Sequence, residues 1–323
     1  MQFADRRSAA FSSRSDGWAQ AMGSGDFARA WRISDRHLRH WRTYGPPKHE
    51  GPRHLQTIWD GRPLRGKRVL VRCYHGLGDT IQFIRFAAPL RAIARHVIVW
   101  VQPKLLPLIA TVAGVDEALP LNDGTPNSDF DADIEIMELA HALRVDAEAI
   151  RRPLPYLAAP GPLPSIPGAG LAVGLVWQAG DWDPCRSLSA EAMSALSQVP
   201  GVRLLSLQRG PAALDAARIP AADAGTDDVM STARLLRALD LVITVDTFIA
   251  HLAGALGVPV WLLLHHQCDW RWGRAGHSTI WYPTMRLFRQ PAPSQWGAVI
   301  DTVAAELRLL RNNPRGQEQT NIQ

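Results

Sequence analysis

The stretch LVITVDTFIAH at residues 241–251 decides the fold of this chain. Its first five residues predict a buried strand, and the apolar run at 248–256 suits a helix. A strand that passes directly into a helix leaves the first backbone N–H groups of the helix unpaired, beside the positive end of the helix dipole. Such a junction favours phosphate binding. The stretch therefore predicts either an anion site or an ordinary junction capped by Asp246 or Thr247.

Other side chains of this stretch add to the predicted anion site. Thr247 supplies a hydroxyl donor, and His251, one turn further, can present a second polar group on the same helix face. Phe248 and Ile249 complete the first turn of the helix. We expect a phosphate or diphosphate as the anion.

A second strand–turn–helix pattern lies upstream. Residues 68–74 (RVLVRCY) predict a strand, residues 75–78 (HGLG) a tight turn, and residues 79–90 a helix. Gly76 and Gly78 match the dinucleotide fingerprint G-x-G-x-x-G, but its third glycine is missing. Asp79 follows the turn, and its carboxylate would compete with a phosphate for the N–H groups. It is predicted to be either a helix cap or a fixed carboxylate that accepts a proton from a substrate hydroxyl.

Five motifs in this order carry a family resemblance: HGLGDTIQFIRFAAPL, GLVWQAGDWDPCRSLS, LLSLQRGP, LDLVITVDTFIAHLAGALGVPVWLLL and DWRW…WYPTMRLFRQ. Together they resemble glycosyltransferase family 9, the ADP-heptose:lipopolysaccharide heptosyltransferases, over residues 65–310. The pattern G-D-F-A-x-A-W at 25–31 resembles half of a tetratricopeptide repeat, which favours the subgroup with such helices. One repeat is too short to stand alone, so we expect it to pack on the main body or on another chain.

The resemblance implies an α/β protein with a GT-B fold, in which two Rossmann-like domains face each other across a cleft. It implies inverting transfer of a heptose-like sugar by a bacterial enzyme, without an obligatory metal or cofactor. The donor would be a nucleotide-diphosphate sugar, with an ADP-sugar favoured. The acceptor would be a hydroxyl of a lipid-linked glycan, a glycan or a protein.

The resemblance also assigns site residues. Arg186 matches the basic residue that contacts the donor diphosphate, a role that suits a guanidinium because it stays charged and binds phosphate oxygens in a bidentate fork. Asp79 matches the catalytic base, and Gly76 and Gly78 belong to the acceptor-side loop. An arginine in this position could instead pair at the surface with Asp181 or Asp183.

Three further residues are possible donor contacts. Gln208 and Arg209 end a predicted strand, at the edge where ligands of open α/β sheets bind. Met230 lies where, in the family, backbone and apolar groups contact the nucleobase of the donor. Phe248 departs from the family, which usually has a small residue there.

We expect four segments. Residues 1–64 form a helical segment and linker, with Trp59 as an anchor; residues 65–160 form the acceptor domain. Residues 161–292 form the donor domain, and residues 293–323 form a helix that returns to the first domain, followed by a polar tail. The proline- and glycine-rich residues 160–170 form the interdomain linker. Strands are predicted at 68–74, 97–101, 131–137, 172–177, 203–207, 241–245 and 258–264, with helices beginning near Ser189, Asp228 and Thr247.

Composition agrees with two soluble domains. The chain has 323 residues, of which 46% are hydrophobic, and a net charge of +5. Its basic residues look scattered, and no nucleic-acid motif is present, so we expect no nucleic-acid partner. An anionic small molecule or peripheral membrane contact fits the charge. We expect a cytoplasmic protein without a transmembrane helix. The chain has three cysteines, no apolar leader follows Arg6 and Arg7, and no apolar span reaches about 18 residues.

Alternative interpretations remain open. Residues His265, His266, Cys268 and His277 lack the paired spacing of a zinc site, so no metal is predicted. The acidic run at 129–133 is predicted to be strand-edge charge. The tryptophans at 270, 272 and 281 would stack on a sugar or belong to the core.

Two other functions compete with sugar transfer. A catalytically silent nucleotide-sugar-binding scaffold is favoured by Phe248 and by the small first domain. A nicotinamide dehydrogenase is disfavoured by the missing third glycine and by Gln102, which stands where an acidic residue would bind the ribose.

Overall fold

A computed structural model describes residues 17–151, 154–180 and 183–312. The chain divides into two compact units. The first comprises residues 1–152 and 269–275, and the second comprises residues 153–268 and 276–323. The short segment 269–275 therefore packs with the first unit although its neighbours in sequence belong to the second. Each unit has a parallel sheet with helices, which confirms the predicted α/β class.

The first unit contains a four-stranded parallel sheet in the order β3-β2-β1-β4. Its strands are β1 (Arg68–Arg72), β2 (His96–Val101), β3 (Glu117–Pro120) and β4 (Ala132–Glu135). The central strands β1 and β2 are nearly continuous apolar runs because a parallel sheet is covered on both faces. The order reverses between β1 and β4, so the turn that follows β1 lies at the topological switch point of this sheet.

The second unit contains a six-stranded parallel sheet in the order β10-β9-β8-β5-β6-β7. Its strands are β5 (Leu171–Val176), β6 (Val202–Ser206), β7 (Ala222–Asp223), β8 (Leu241–Val245), β9 (Val260–Leu264) and β10 (Met285–Arg289). Here the order reverses between β5 and β8. The loops that leave these two strands therefore meet at the switch point, where open α/β sheets bind ligands.

Ten α-helices connect or flank the strands in the described residues. They are α1 (Phe27–Tyr44), α2 (Leu77–Phe83), α3 (Ala87–Arg91), α4 (Leu106–Ile109), α5 (Leu139–Ala142), α6 (Ala147–Ile150), α7 (Ala190–Ser194), α8 (Val229–Arg237), α9 (Phe248–Ala255) and α10 (Trp296–Asn312). Residues 17–23 are also helical. Short 3-10 helices include Arg53–Leu55, Ile84–Phe86, Pro103–Leu105, Ile136–Glu138, Pro184–Arg186, Ala195–Gln198, Pro211–Arg218 and Trp270–Trp272. Among these described helices, none is both long and apolar enough to cross a bilayer.

The last helix, α10, belongs to the core of the second unit. Its apolar stripe, which includes Val299, Val303 and Leu307, packs in the same cluster as the strand residues Leu175 and Ile243. The stripe faces apolar side chains of the second sheet, and burial there removes it from water. The expected return of residues 293–323 to the first domain stays a prediction. The predicted tail lies outside the described residues beyond Asn312.

The amino-terminal helix α1 packs on the first unit. The indole N–H of Trp31 donates to the carbonyl of Val145 at 2.7 Å. The carboxylate of Asp35 lies 2.9 Å from Nε2 of His141 and pairs with Arg144. The ring of Trp31 also stacks on His141. These contacts fix one face of α1 on the body of the unit.

The chain after α1 is anchored by Trp59, as the sequence predicts. Its backbone N–H donates to the carboxylate of Glu138 at 2.8 Å, and the N–H groups of Ile58 and Glu135 donate to the same carboxylate. Burial raises the pKa of Glu138 to about 8, against the opposing effect of these backbone donors. The stability that the protonated form contributes is therefore lost as the pH rises through this value.

Candidate functional site

The junction between β8 and α9 has the predicted form. The strand ends at Val245, and Thr247 is the N-cap residue of α9, in an extended conformation. The hydroxyl of Thr247 lies 3.2 Å from the hydroxyl of Thr244. Thr247, Phe248 and Ile249 are only partly buried. The first turn of α9 can therefore be reached by an anion at its positive end.

His251 has a different environment from the predicted one. Its side chain is buried, with Nδ1 at 2.9 Å from the hydroxyl of Tyr282 and Nε2 at 3.8 Å from the carboxylate of Asp246. We expected His251 to present a polar group to the anion. The imidazole lies instead between two buried partners and fixes the side chain of Asp246 and the start of α9.

Arg186 brings the second donor motif to this junction. It ends the 3-10 helix Pro184–Arg186 in the loop that follows β5, and its guanidinium donates to the backbone carbonyl of Asp246 at 3.1 Å. The alternative partner Asp183 accepts from the N–H of Cys185, and only its carbonyl approaches Arg186, at 3.5 Å. The other alternative, Asp181, lies outside the described residues. The structure thus joins the motifs after β5 and β8 at the switch point of the sheet.

A cavity of about 380 Å³ lies beside the loop that carries Arg186. Its polar lining includes Cys185, Ser187, His266 and Gln290. His265 also lines it, and its Nε2 lies 3.5 Å from the carboxylate of Asp183. The cavity therefore offers hydrogen-bond donors and acceptors beside residues 185 and 187, the sequence neighbours of Arg186. Within the described part of the chain, no three His, Cys, Asp or Glu side chains are arranged to hold a metal.

Gln208 ties two strand ends together. Its side-chain oxygen accepts from the N–H groups of Trp177 and Gln178, and its amide donates to the carbonyls of Gln178 and Arg209. The side chain is 5% exposed and all these bonds are internal, and its contact with a donor stays a prediction. The sequence could not show these bonds, since the partners of the amide come from the neighbouring strand.

The other two possible donor contacts lie near the surface. Arg209 is exposed and pairs with Asp227 at 3.1 Å. Met230 is the second residue of α8 and is partly buried, and the helix is capped by Asp228, which accepts from the N–H of Ser231. In the described part of the chain, neither side chain forms a hydrogen bond or an ion pair with Arg186.

In the first unit, Asp79 is the third residue of α2 rather than its cap. One carboxylate oxygen accepts from the N–H of Gly76 at 2.9 Å, which closes the first turn of the helix. The other oxygen forms an ion pair with Arg271. Asp79 thus closes the first turn of α2 and has a fixed orientation, and its role as a proton acceptor stays a prediction. Gly76 is the N-cap residue and Gly78 lies in the first turn.

Arg271 is a site residue that the sequence analysis did not identify. It belongs to the segment 269–275, and its guanidinium also donates to Gln82 at 2.7 Å and to Asp269 at 2.9 Å. It lies over the ring of Trp270, with 4.7 Å to the ring centre. It also lies over the ring of Phe83, at 6.0 Å, so three polar side chains and two aromatic rings surround the guanidinium. The DWRW motif contained this arginine, but nothing in the motif indicated Asp79 as its partner.

A second pair lies in the turn that contains Gly76. His75 is 3.0 Å from Glu135, the last residue of β4, at the switch point of the first sheet. Burial lowers the pKa of His75, but the hydrogen bond and charge of Glu135 outweigh it, and the pKa is raised. A protonated His75 would hold positive charge beside Asp79, which also favours that form.

Two other predicted groups have structural roles. Trp272 and Trp281 are buried core residues, whereas Trp270 packs edge-on against Trp18 at 5.0 Å. In the acidic run, Asp133 lies in the edge strand β4, is 8% exposed and forms an ion pair with Arg72 at 2.9 Å. Sequence alone could not place that arginine beside it.

The chain was compared with known proteins. No family model matches it. Protein FlbA of Caulobacter vibrioides is 26% identical over 351 aligned positions, which cover 91% of this chain and 56% of FlbA. The chain thus spans little more than half the length of this relative.

Three solved structures share the fold. The glycosyltransferase family 9 protein of Veillonella parvula has a TM-score of 0.57 at 12% identity, over 77% of this chain and 99% of its own. The heptosyltransferase TibC, in complex with ADP-D-beta-D-heptose, has a TM-score of 0.51 at 14% identity, over 77% of this chain and 78% of its own. ADP-heptose lipopolysaccharide heptosyltransferase II of E. coli has a TM-score of 0.50 at 14% identity, over 74% of this chain and 99% of its own. The chain therefore has the α/β fold of these glycosyltransferases.

Proposed function

We propose that this protein is an inverting, metal-independent glycosyltransferase that moves a heptose-like sugar from a nucleotide-diphosphate donor to an acceptor hydroxyl. One observation carries the proposal: the guanidinium of Arg186 bonds to the carbonyl of Asp246, at the switch point between β5 and β8. A permanent positive charge is thereby placed at the start of α9. The fold shared with family 9 glycosyltransferases supports the same conclusion.

The donor diphosphate would bind at the start of α9. The unpaired N–H groups of the first turn and the hydroxyl of Thr247 would contact one phosphate, and Arg186 the other. The remaining contacts of Arg186, to Gly180 and Asp183, are long at 3.5 Å, so they can be exchanged for phosphate oxygens. These fixed donors would stabilise the charge that develops on the leaving diphosphate, which removes the need for a metal.

Asp79 would act as the general base. Its carboxylate would accept the proton of the acceptor hydroxyl while that oxygen forms a bond to the anomeric carbon. The bond from this carbon to the diphosphate breaks on the opposite face, and the configuration is inverted. The hydrogen bond from Gly76 and the ion pair with Arg271 would keep the carboxylate in one orientation. Proton transfer by a positioned group contributes about 10² to 10⁴ in rate.

The same comparison supports a donor and an acceptor for the proposed reaction. The name of the E. coli heptosyltransferase includes lipopolysaccharide and ADP-heptose, and the structure of TibC was determined in complex with an ADP-heptose. We therefore favour an ADP-sugar as donor and the hydroxyl of a lipid-linked glycan, a glycan or a protein as acceptor. Such a reaction would take place in the bacterial cytoplasm, where nucleotide sugars are made.

A binding scaffold is the second candidate. Both carboxylate oxygens of Asp79 already have partners, and Phe248 stands at the first position of α9, beside the proposed phosphates. A protein with these features could hold a nucleotide sugar without turning it over. The tetratricopeptide-like helices at 17–23 and α1 would then recruit a partner protein.

Ligand-dependent melting tests the donor site. The protein is heated with ADP, UDP or GDP and with their sugar derivatives, without added metal and with a chelator. We expect the ADP compounds to raise the melting temperature most, by an amount equivalent to about 2.7 kcal/mol at 100 times the Kd. If no nucleoside diphosphate changes the melting temperature, both the enzyme and the scaffold proposals fail.

A further inference from the structure

The outer side of α1 carries a row of arginines. They are Arg29, Arg32, Arg36, Arg39 and Arg42, all of them exposed. Their spacing of three or four residues places them on one side of the helix. This corrects the expectation that basic residues are merely scattered. We call these five residues the arginine row.

The arginine row is rigid and its charge is not neutralised locally. Across the described residues, none of the five forms an ion pair within 4.0 Å. Trp31 and Asp35 fix α1 on the first unit beside the row, so the row keeps one orientation. From Arg29 to Arg42 it extends for about 20 Å, since a helix rises about 1.5 Å per residue.

A shallow cavity of about 420 Å³ lies at the carboxyl end of the row. Trp41, Pro46 and Pro47 form its apolar lining. Arg42, Lys48 and Arg62 add positive charge, and Asp60, which pairs with Lys48 and Arg62, adds one negative charge, so the lining stays cationic. Beside it, Tyr44 ends α1 with 76% of its surface exposed. The row thus ends in a mixed apolar and cationic surface, which suits an anionic group attached to an apolar one.

We propose that the arginine row and this cavity dock the protein on an anionic phospholipid bilayer. A row of guanidinium groups along the exposed side of one helix suits a plane of phosphates, and each guanidinium can bind phosphate oxygens in a bidentate fork. Tyr44 has an apolar ring with a polar tip, a combination typical of side chains at the level of lipid headgroups. Nucleic acid would use the arginines but has no need of the exposed apolar surface. This proposal does not depend on sugar transfer.

Vesicle flotation with the full chain tests the proposal. The vesicles are phosphatidylcholine alone, or phosphatidylcholine with about one-third phosphatidylglycerol, at low salt. A variant of the row carries Arg32→Gln, Arg36→Gln and Arg39→Gln. A control carries Arg65→Gln, Arg151→Gln and Arg308→Gln, which removes the same charge at other exposed positions.

We expect the wild-type chain to float with the anionic vesicles and not with the neutral ones. Each arginine near an anionic surface contributes about fivefold in affinity, so the row variant should bind on the order of 100-fold more weakly. The control should bind nearly as well as the wild type. Tyr44→Ser should weaken binding without changing its dependence on salt.

Three outcomes would overturn the proposal. Equal losses in the row variant and the control would show that only net charge matters. Absence of wild-type flotation with anionic vesicles would remove the membrane as the partner. Binding to an RNA oligonucleotide that depends on the row, without flotation, would assign the surface to nucleic acid. Circular dichroism of each variant checks that the helices are retained.

Discussion

Asp79→Asn should reduce sugar transfer by about 100-fold or more and leave nucleotide affinity nearly unchanged. The amide cannot accept the proton of the acceptor hydroxyl, but its oxygen can still accept from the N–H of Gly76 and close the first turn of α2. Donor binding is expected to survive because the proposed phosphate contacts come from other residues. Steady-state kinetics with an ADP-sugar, together with calorimetric titration of ADP, separates the two effects.

The replacement also removes a charge that faces Arg271, so it needs a matched control. Asp269→Asn removes a different carboxylate partner of the same guanidinium and leaves Asp79 in place. We expect this control to keep most of its activity. A wild-type rate in Asp79→Asn would reduce Asp79 to a structural residue of α2. Equal losses in both variants would show that the position of Arg271, rather than proton transfer, limits the reaction.

Arg186→Ala should weaken ADP binding by about 1.5–3 kcal/mol, the usual range for hydrogen bonds to charged groups. The guanidinium donates to the carbonyl of Asp246, directly before the N-cap residue of α9. The difference from wild type should shrink as salt is added, because screening already weakens the wild-type contact. Calorimetric titration with ADP at two salt concentrations measures both effects.

Arg218→Ala is the control for this measurement. Arg218 is also a surface arginine of the second unit and is the last residue of the 3-10 helix Pro211–Arg218. It forms an ion pair with Glu191. Its replacement changes the net charge equally but should leave ADP affinity unchanged. If Arg186→Ala binds ADP as tightly as Arg218→Ala does, Arg186 has no part in donor binding.

The strands that the sequence predicts best are the buried ones. β8 was predicted with its observed bounds because LVITV is wholly apolar or β-branched and is followed by the polar residues Asp246 and Thr247. β3 and β7 were missed because they lie at sheet edges and no residue of either is fully buried. β10 was missed because the arginines of MRLFR interrupt the apolar run.

The candidate site was predictable where it depends on strand ends. The carboxyl edge of a parallel sheet gathers the loops after neighbouring strands, so Arg186 and Thr247 could be assigned to one site. The partner of Asp79 could not be predicted, since Arg271 is 192 residues away in sequence. The buried position of His251 also depends on a distant residue, Tyr282.

The arginine row shows a different limit. Its spacing was visible in the sequence, but the charges were judged along the whole chain instead of around one helix. On a helix, residues three and four apart become neighbours, so a sequence that looks evenly charged can still form a basic surface.

The most direct test of sugar transfer is the fate of an ADP-sugar mixed with the wild-type chain and a panel of hydroxyl acceptors, in the presence of a chelator. Mass spectrometry detects the released ADP and the glycosylated product, and NMR reports the configuration of the new anomeric centre. We predict release of ADP with inversion at that centre, undiminished by the chelator. Nucleotide binding without turnover of any donor would contradict catalysis and favour the scaffold, and retention of configuration would contradict the role of Asp79.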